Sequence, residues 1–240
     1  MNVSGRYAKA WESFWEDAPY GQGGVLWDAD PALTAARHLA YFEEHFDPGL
    51  PLVDLGCGNG TQTRFLAGRY RQVVGVDLAH AAVARATRDD PRGLAAYQQL
   101  DGVDTDAVRA LHDELGDANV YMRGVLHQSD PADRSRLVDG IATLVGQRGR
   151  AFVVELAEAA KGVLGALARD PAGPSPKVGA IFSHGIAPGE VADAAVPGYF
   201  AAAGLRVLGA GEEPLATTEF RPDGSRIEVP SRWLVAGLAA

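Results

Sequence analysis

Short apolar runs alternate with stretches of helical periodicity along most of the chain. The runs lack period-two alternation, which is typical of strands buried on both faces of a parallel sheet. Five runs are predicted to be such strands: 50–55, 72–77, 94–100, 118–122 and 150–156. Apolar positions at helical spacing predict four helices between them: 60–70, 79–88, 104–115 and 130–145. Alternating strands and helices predict an α/β fold with helices covering both faces of the sheet.

The pattern extends beyond both ends of this block. Two helices are predicted before the first strand, over 7–20 and 31–46. A helix over 189–203 and two strands, at 205–208 and 231–236, are predicted after the fifth strand.

These elements suggest how the chain divides into parts. We predict an N-terminal helical cap or lid over 1–46 and a core over 47–240. Residues 169–189 are rich in Pro and Gly, and they are interpreted as an ordered insertion over an active site, with an interdomain linker as the alternative.

Composition and charge exclude several classes of function. The 240 residues carry a formal net charge of −9, and nucleic-acid binding usually needs clustered Lys and Arg, so a nucleic-acid partner is not expected. The single cysteine, Cys57, excludes an internal disulfide and a Cys-only zinc site, and no metal site is predicted. No signal peptide and no apolar run of about 18 residues is found, so a cytoplasmic protein without a membrane partner is expected.

The segment LVDLGCGNG at 52–60 is the most informative motif. It places Gly56, Gly58 and Gly60 between a strand and a helix, where open α/β sheets bind ligands. Asp77 lies at the end of the next strand, where its carboxylate could accept hydrogen bonds from both hydroxyls of a ribose. The spacing is not the G-x-G-x-x-G of nicotinamide enzymes, and Thr61 follows without the Lys of a phosphate-binding loop. The residues alone leave the choice between nucleoside cofactors open.

Four motifs in order resemble the class I S-adenosylmethionine-dependent methyltransferases. They are VDLGCGNG, GVD ending at Asp77, LDG around Asp101, and NVYMRGVLH, and the resemblance extends from about Pro51 through LRVL and SRWLVAG. It implies a doubly wound, seven-stranded, mostly parallel Rossmann-like sheet whose last strand is antiparallel to its neighbours. It also implies S-adenosylmethionine as cofactor, S-adenosylhomocysteine as product, and methyl transfer by direct in-line displacement.

The resemblance also implies which residues bind the cofactor. The backbone at 56–58 would contact the methionine end, Asp77 the ribose hydroxyls, and Asp101 the adenine edge. Met122 and Arg123 would lie beneath the sulfonium region, and the partner of the Arg123 charge is the cofactor carboxylate, the substrate or Glu155. The full implied set is Asp54, Gly56, Cys57, Gly58, Asp77, Leu78, Asp101, Gly102, Met122 and Arg123.

Candidate catalytic and substrate-binding residues lie outside the cofactor motifs. His127 follows the fourth strand and is the candidate general base, which a hydroxyl acceptor requires more than an amine or a thiolate. His184 lies in the insertion and would fold over the cleft. Trp15, Tyr20 and Trp27 would line the substrate pocket, where aromatic faces also attract a cationic sulfonium. A structural role for each of these residues is the alternative.

We therefore predict methyl transfer from S-adenosylmethionine to a small molecule through O, N or S. Metal-dependent methyltransferases of the catechol type carry acidic metal ligands near the fourth and fifth strands, where this chain reads YMRGV and VVELA. It also lacks the N-P-P-Y motif of enzymes that methylate amino groups of nucleobases or glutamine. The alternative is a protein that binds S-adenosylmethionine without methylating anything. The sequence leaves open the acceptor, the pathway and the oligomeric state.

Overall fold

The fold is known from a computed structural model that describes residues 4–169, 173–187 and 189–238, with side chains from residue 7 onward. Its strands are β1 Leu52–Leu55, β2 Val73–Asp77, β3 Ala96–Gln99, β4 Asn119–Arg123, β5 Ala151–Leu156, β6 Arg206–Glu212, β7 Leu215–Phe220, β8 Arg226–Val229 and β9 Ser231–Gly237. Its α-helices are α1 Ser4–Asp17, α2 Ala35–Phe42, α3 Thr61–Ala67, α4 His80–Arg88, α5 Thr105–Leu115, α6 Arg134–Val145, α7 Ala160–Ala168, α8 Pro176–Ser183 and α9 Ala195–Ala202. None of the helices in this part of the chain is long and apolar enough to cross a membrane.

Seven strands form one sheet in the order β3-β2-β1-β4-β5-β9-β6. The first five in this order are parallel, and Leu55 of β1 lies opposite Val76 on one side and Met122 on the other. β9 runs antiparallel to both β5 and β6. The predicted seven-stranded, mostly parallel, doubly wound sheet is therefore confirmed, and the carboxyl ends of β1, β2, β4 and β5 meet at one edge.

Helices cover both faces of the sheet. On one face α5, α6 and α9 bury apolar side chains such as Leu111, Ile141 and Phe200 against the strands. On the other face α2 and α3 do the same, with Phe42 of α2 packed 4.9 Å from the ring of Phe152 on β5. The main driving force is the removal of this apolar surface from water.

The two N-terminal helices take different positions. While α2 packs on the sheet, α1 lies on α4 and is fixed to it through its carboxyl-terminal half. Glu12 accepts a hydrogen bond of 3.1 Å from the Ala81 amide at the start of α4. Arg85 donates at 3.1 Å to the carbonyl of Glu16 near the end of α1 and to that of Pro19 just after it. Trp15 of α1 approaches the glycine turn at Gly58.

The region after β5 differs most from the sequence prediction. The helix expected over 189–203 is shorter, because the ring of Pro197 would clash with the carbonyl of residue 193 in a longer helix. Two further helices are present: α7 directly precedes the predicted insertion over 169–189, and α8 lies within it. The stretch between the last two sheet strands forms a separate hairpin of β7 and β8 around 222–224.

Candidate functional site

The glycine motif forms a tight turn at the carboxyl end of β1. Gly56, Gly58 and Gly60 have φ values of 79°, 55° and 75°, a region that side chains disfavour. A Cβ at Gly56 would lie 2.5 Å from Cγ2 of Val125, and one at Gly58 would lie 2.9 Å from Cζ2 of Trp15. The backbone of the turn therefore needs glycine both for its conformation and for the close approach of neighbouring side chains.

Asp77 holds the turn from the end of β2. One carboxylate oxygen accepts a hydrogen bond of 2.9 Å from the Gly58 amide, and the other accepts one of 2.9 Å from Ala79. Burial raises the pKa of the Asp77 carboxyl to about 6, although both hydrogen bonds act to lower it. Each oxygen keeps a second lone pair, so the group can still accept hydrogen bonds from a ligand.

A cavity of about 260 Å³ opens beside the glycine turn and extends to β7 and β8. Asp77 and His127 both lie in its wall. The structure brings eleven of the predicted site residues to this wall: Gly56, Cys57, Gly58, Asp77, Leu78, Asp101, Gly102, Arg123, His127, Trp15 and Trp27.

Four predicted site residues do not lie in the cavity wall. Asp54 is buried and accepts a hydrogen bond of 2.6 Å from Thr63, and burial raises the pKa of its carboxyl to about 6. Met122 is fully buried in the core between sheet and helices. The bond between Asp54 and Thr63 therefore joins β1 to α3, the two elements on either side of the glycine turn.

Tyr20 and His184 are the other two. Tyr20 lies on the surface with 70% of its area exposed, and Arg85 and Arg88 stack on its ring. His184 follows α8, and its Nδ1 lies 2.9 Å from the hydroxyl oxygen of Ser13 on α1. His184 therefore joins these two helices outside the cavity.

An aromatic cluster closes the cavity on the side of α1. Trp11, Phe14, Trp15 and Trp27 contact one another edge to face or tilted, with ring centroids 5.3–6.3 Å apart. Arg123 reaches this cluster from β4 and donates a hydrogen bond of 3.0 Å to the Trp27 carbonyl. The alternative pairing of Arg123 with Glu155 is not found, since Glu155 has other partners.

Glu155 instead holds His127. One oxygen of the buried carboxylate accepts hydrogen bonds of 2.7 Å from the Val125 and Leu126 amides, and the other lies 2.9 Å from Nδ1 of His127. A carboxylate can only accept hydrogen bonds, so Nδ1 carries the proton and donates it. The neutral ring then has its lone pair on Nε2, which makes no hydrogen bond within the described part of the chain. This arrangement is the one a general base needs.

Two polar residues shape the site beyond those predicted from the sequence. An acid in the apolar strand AFVVEL signals a buried group that needs hydrogen-bond donors, and Glu155 finds them in His127 and the loop after β4 rather than in Arg123. Asp28, which no sequence motif marks, accepts hydrogen bonds from the Asn59 side chain, at 2.8 Å, and from the Gly23 amide, at 2.9 Å. These bonds attach the segment before α2 to the glycine turn.

The comparisons with known proteins agree on one family. Residues 52–149 match a family model described as a methyltransferase domain. A crystal structure of an S-adenosylmethionine-dependent methyltransferase from Anabaena variabilis is 29% identical, covers 100% of this chain and 96% of that chain, and has a TM-score of 0.89. No curated protein matches the chain.

Two more distant structures share the fold. Magnesium protoporphyrin IX methyltransferase from Synechocystis, crystallised with S-adenosylhomocysteine, is 17% identical, covers 99% of this chain and 96% of that chain, and has a TM-score of 0.59. A structure titled for the conversion of a disulfide bond into a thioacetal group during echinomycin biosynthesis is 19% identical, with 98% and 92% coverage and a TM-score of 0.65.

Proposed function

Because this chain is a class I S-adenosylmethionine-dependent methyltransferase, we propose that it methylates a small molecule that enters the cavity beside the glycine turn. The observation that carries the proposal is the position of His127. His127, whose Nδ1 is hydrogen-bonded to Glu155, belongs to the wall of the same cavity as Gly56, Gly58 and Asp77. The predicted cofactor residues and the candidate base therefore line one cavity.

The residues present suit S-adenosylmethionine. The Gly56–Gly58 backbone lies in the cavity wall, the two Asp77 oxygens have lone pairs left for ribose hydroxyls, and Asp101 with Gly102 lies just after β3 for the adenine edge. When bound, the cofactor supplies a methyl group on a positively charged sulfur. The chain positions the reactants and excludes water.

His127 would remove a proton from a hydroxyl acceptor. The cofactor would supply its methyl group to the acceptor oxygen by direct displacement, and the electron pair of the broken carbon–sulfur bond would remain on sulfur. The hydroxyl proton passes to Nε2 of His127 and then to water. Trp15 and Trp27 cover this part of the cavity, and we propose that α1, which carries Trp15, is a lid over the substrate.

Calorimetric titration with S-adenosylmethionine and with S-adenosylhomocysteine tests the first half of the proposal. We expect saturable binding of both to one site per chain. Release of S-adenosylhomocysteine in the presence of small hydroxylated acceptors tests the second half. Binding without product release for any acceptor would favour a protein that binds the cofactor without methylating, and absence of binding would overturn the proposed function.

Cofactor affinity is expected to depend on pH through Asp77. Since burial raises the pKa of this carboxyl to about 6, the group is largely protonated at pH 5 and ionised at pH 8. Only the ionised form accepts two ribose hydrogen bonds, so the affinity should fall as the pH falls through 6. We expect binding to be about tenfold weaker at pH 5 than at pH 8, by calorimetry. The Asp77→Asn variant should lose most of this pH dependence, and an unchanged dependence would assign it to another group such as Asp54.

A further inference from the structure

Part of the cavity wall is apolar. Helices α7 and α8, the hairpin of β7 and β8, and the end of β5 each contribute side chains to it. We call this part the acceptor chamber and define it by Leu156, Leu164, Leu167, Ile181, Leu215 and Val229. Thr217 also lies in the wall, but its hydroxyl donates a hydrogen bond of 2.7 Å to the Ile227 carbonyl within the hairpin. The chamber therefore offers mainly hydrocarbon to a ligand.

The charged side chains of the cavity wall come from other segments than those that form the acceptor chamber. Among the described wall residues the only Lys or Arg is Arg123, whose guanidinium donates to the Trp27 carbonyl. The acidic wall residues lie in the segment attached to the glycine turn, at the end of β2, and in the loops after β3 and β4: Asp28, Asp77, Asp101, Asp130 and Asp133. A negatively charged acceptor would therefore enter a space with several carboxylates and one engaged cation.

The two lysines on the chamber helices α7 and α8 make their contacts outside the cavity wall. Lys177 on α8 donates a hydrogen bond of 2.8 Å to the hydroxyl of Thr218 and lies 3.8 Å from a carboxylate oxygen of Glu219. Lys161 on α7 pairs with Glu190 on the surface. Neither side chain belongs to the cavity wall. Moving an anionic group from water into the chamber would therefore carry a desolvation cost with no cation to offset it.

We propose that the methyl acceptor is an uncharged molecule with a mainly apolar, ring-sized body and a hydroxyl group at its edge. The body occupies the acceptor chamber, and the hydroxyl faces His127 at the junction with the cofactor end. The position of the hydroxyl rests on the proposed function, whereas the preference for an uncharged apolar body rests on the chamber itself. Acceptors carrying a carboxylate or a phosphate on the part that enters the chamber are excluded by the same argument.

A matched pair of probes tests the preference without any turnover. 2-Naphthol and 6-hydroxy-2-naphthoate share a fused ring and a hydroxyl group, but at pH 7.5 only the second carries a charge. Binding of each to the full chain, with S-adenosylhomocysteine present, can be measured by fluorescence titration. We expect 2-naphthol to bind at least about tenfold more tightly, which corresponds to roughly 1.4 kcal/mol.

A lysine in the chamber should reverse this preference. Leu164 is half-buried in the wall, so Leu164→Lys places a cation there with little disturbance of the core. We expect the variant to lose at least about tenfold in 2-naphthol affinity and to bind 6-hydroxy-2-naphthoate more tightly than the wild type does. Leu208→Lys is the matched control, because Leu208 lies on β6, partly exposed and outside the cavity wall.

The outcomes separate this proposal from the proposed function. Equal binding of the two probes, tighter binding of the anion to the wild type, or no saturable binding of 2-naphthol would each overturn the proposal for the acceptor. Loss of S-adenosylhomocysteine binding by the wild type would instead overturn the proposed function. The comparison of probes on the wild type decides the question even if Leu164→Lys fails to fold.

Discussion

Replacing Asp77 by alanine is expected to weaken S-adenosylmethionine binding about 100-fold or more. The carboxylate would accept two hydrogen bonds from the ribose, and bonds to charged groups contribute roughly 1.5–3 kcal/mol each. The change also removes the acceptor of the Gly58 amide, which lies in the turn that would hold the methionine end of the cofactor. Calorimetric titration of the variant at pH 8 measures the effect.

Two further variants distinguish binding from folding. Asp77→Asn keeps the shape and one acceptor oxygen, so we expect a smaller loss, about 10-fold. Asp113→Asn removes an exposed carboxylate on α5 and should leave the affinity unchanged. Thermal unfolding of the Asp77 variants checks that they remain folded. Unchanged affinity in folded Asp77→Ala would show that the ribose binds elsewhere.

Replacing His127 by alanine is expected to lower turnover on a hydroxyl acceptor by a factor of about 10² to 10⁴, the usual contribution of a general base. Cofactor affinity should stay within a few-fold of the wild type, because the predicted cofactor contacts lie on the glycine turn, Asp77 and Asp101. The measurement is the rate of S-adenosylhomocysteine release with saturating cofactor, together with a calorimetric titration. Full turnover in His127→Ala would exclude this residue as the base.

Glu155→Gln tests whether the carboxylate acts through His127. One amide oxygen can still accept from the Val125 and Leu126 backbone, while the amide nitrogen would face Nδ1 of His127 and donate to it. The ring would then carry its proton on Nε2 and could not accept one from the acceptor. We expect turnover to fall by about 10² or more, with cofactor affinity retained. A fall in turnover without a change in its pH profile would indicate a merely structural role.

The pair of His112 and Asp117 is a matched control for both variants. Nε2 of His112 lies 3.1 Å from a carboxylate oxygen of Asp117, at the far end of α5 and outside the cavity wall. Removing this imidazole eliminates a comparable pair between histidine and carboxylate. His112→Ala should therefore leave turnover unchanged, although it can lower the free energy of unfolding.

The central sheet could be predicted from the sequence because its strands are short, apolar and separated by helical patterns. Strands such as VVGVD are buried on both faces of the sheet, so their continuous apolar composition is enough to predict a buried strand. The glycine turn could be located because its backbone conformation admits few other residues. Residues close together in the sequence determine both the strands and the glycine turn. Neither feature depends on contacts between distant segments.

The parts that depend on distant contacts could not be predicted. Tyr20 and His184 belong to aromatic or loop segments that suit a pocket, but the chain path places Tyr20 against Arg85 and His184 against Ser13. The partner of His127 lies 28 residues away on the neighbouring strand. The register of β4 and β5, which places Glu155 beside the loop after β4, cannot be read from either strand alone.

The position of β9 has a consequence for the order in which the fold can be assembled. In the sheet this strand lies between β5 and β6, and β6 pairs with no other strand among the described residues. During synthesis β6 leaves the ribosome before the strand it pairs with, and the hairpin of β7 and β8 is made in between. The edge of β5 therefore stays unpaired, and prone to association with other chains, until the seventh strand of the sheet arrives. We therefore expect this side of the molecule to fold late.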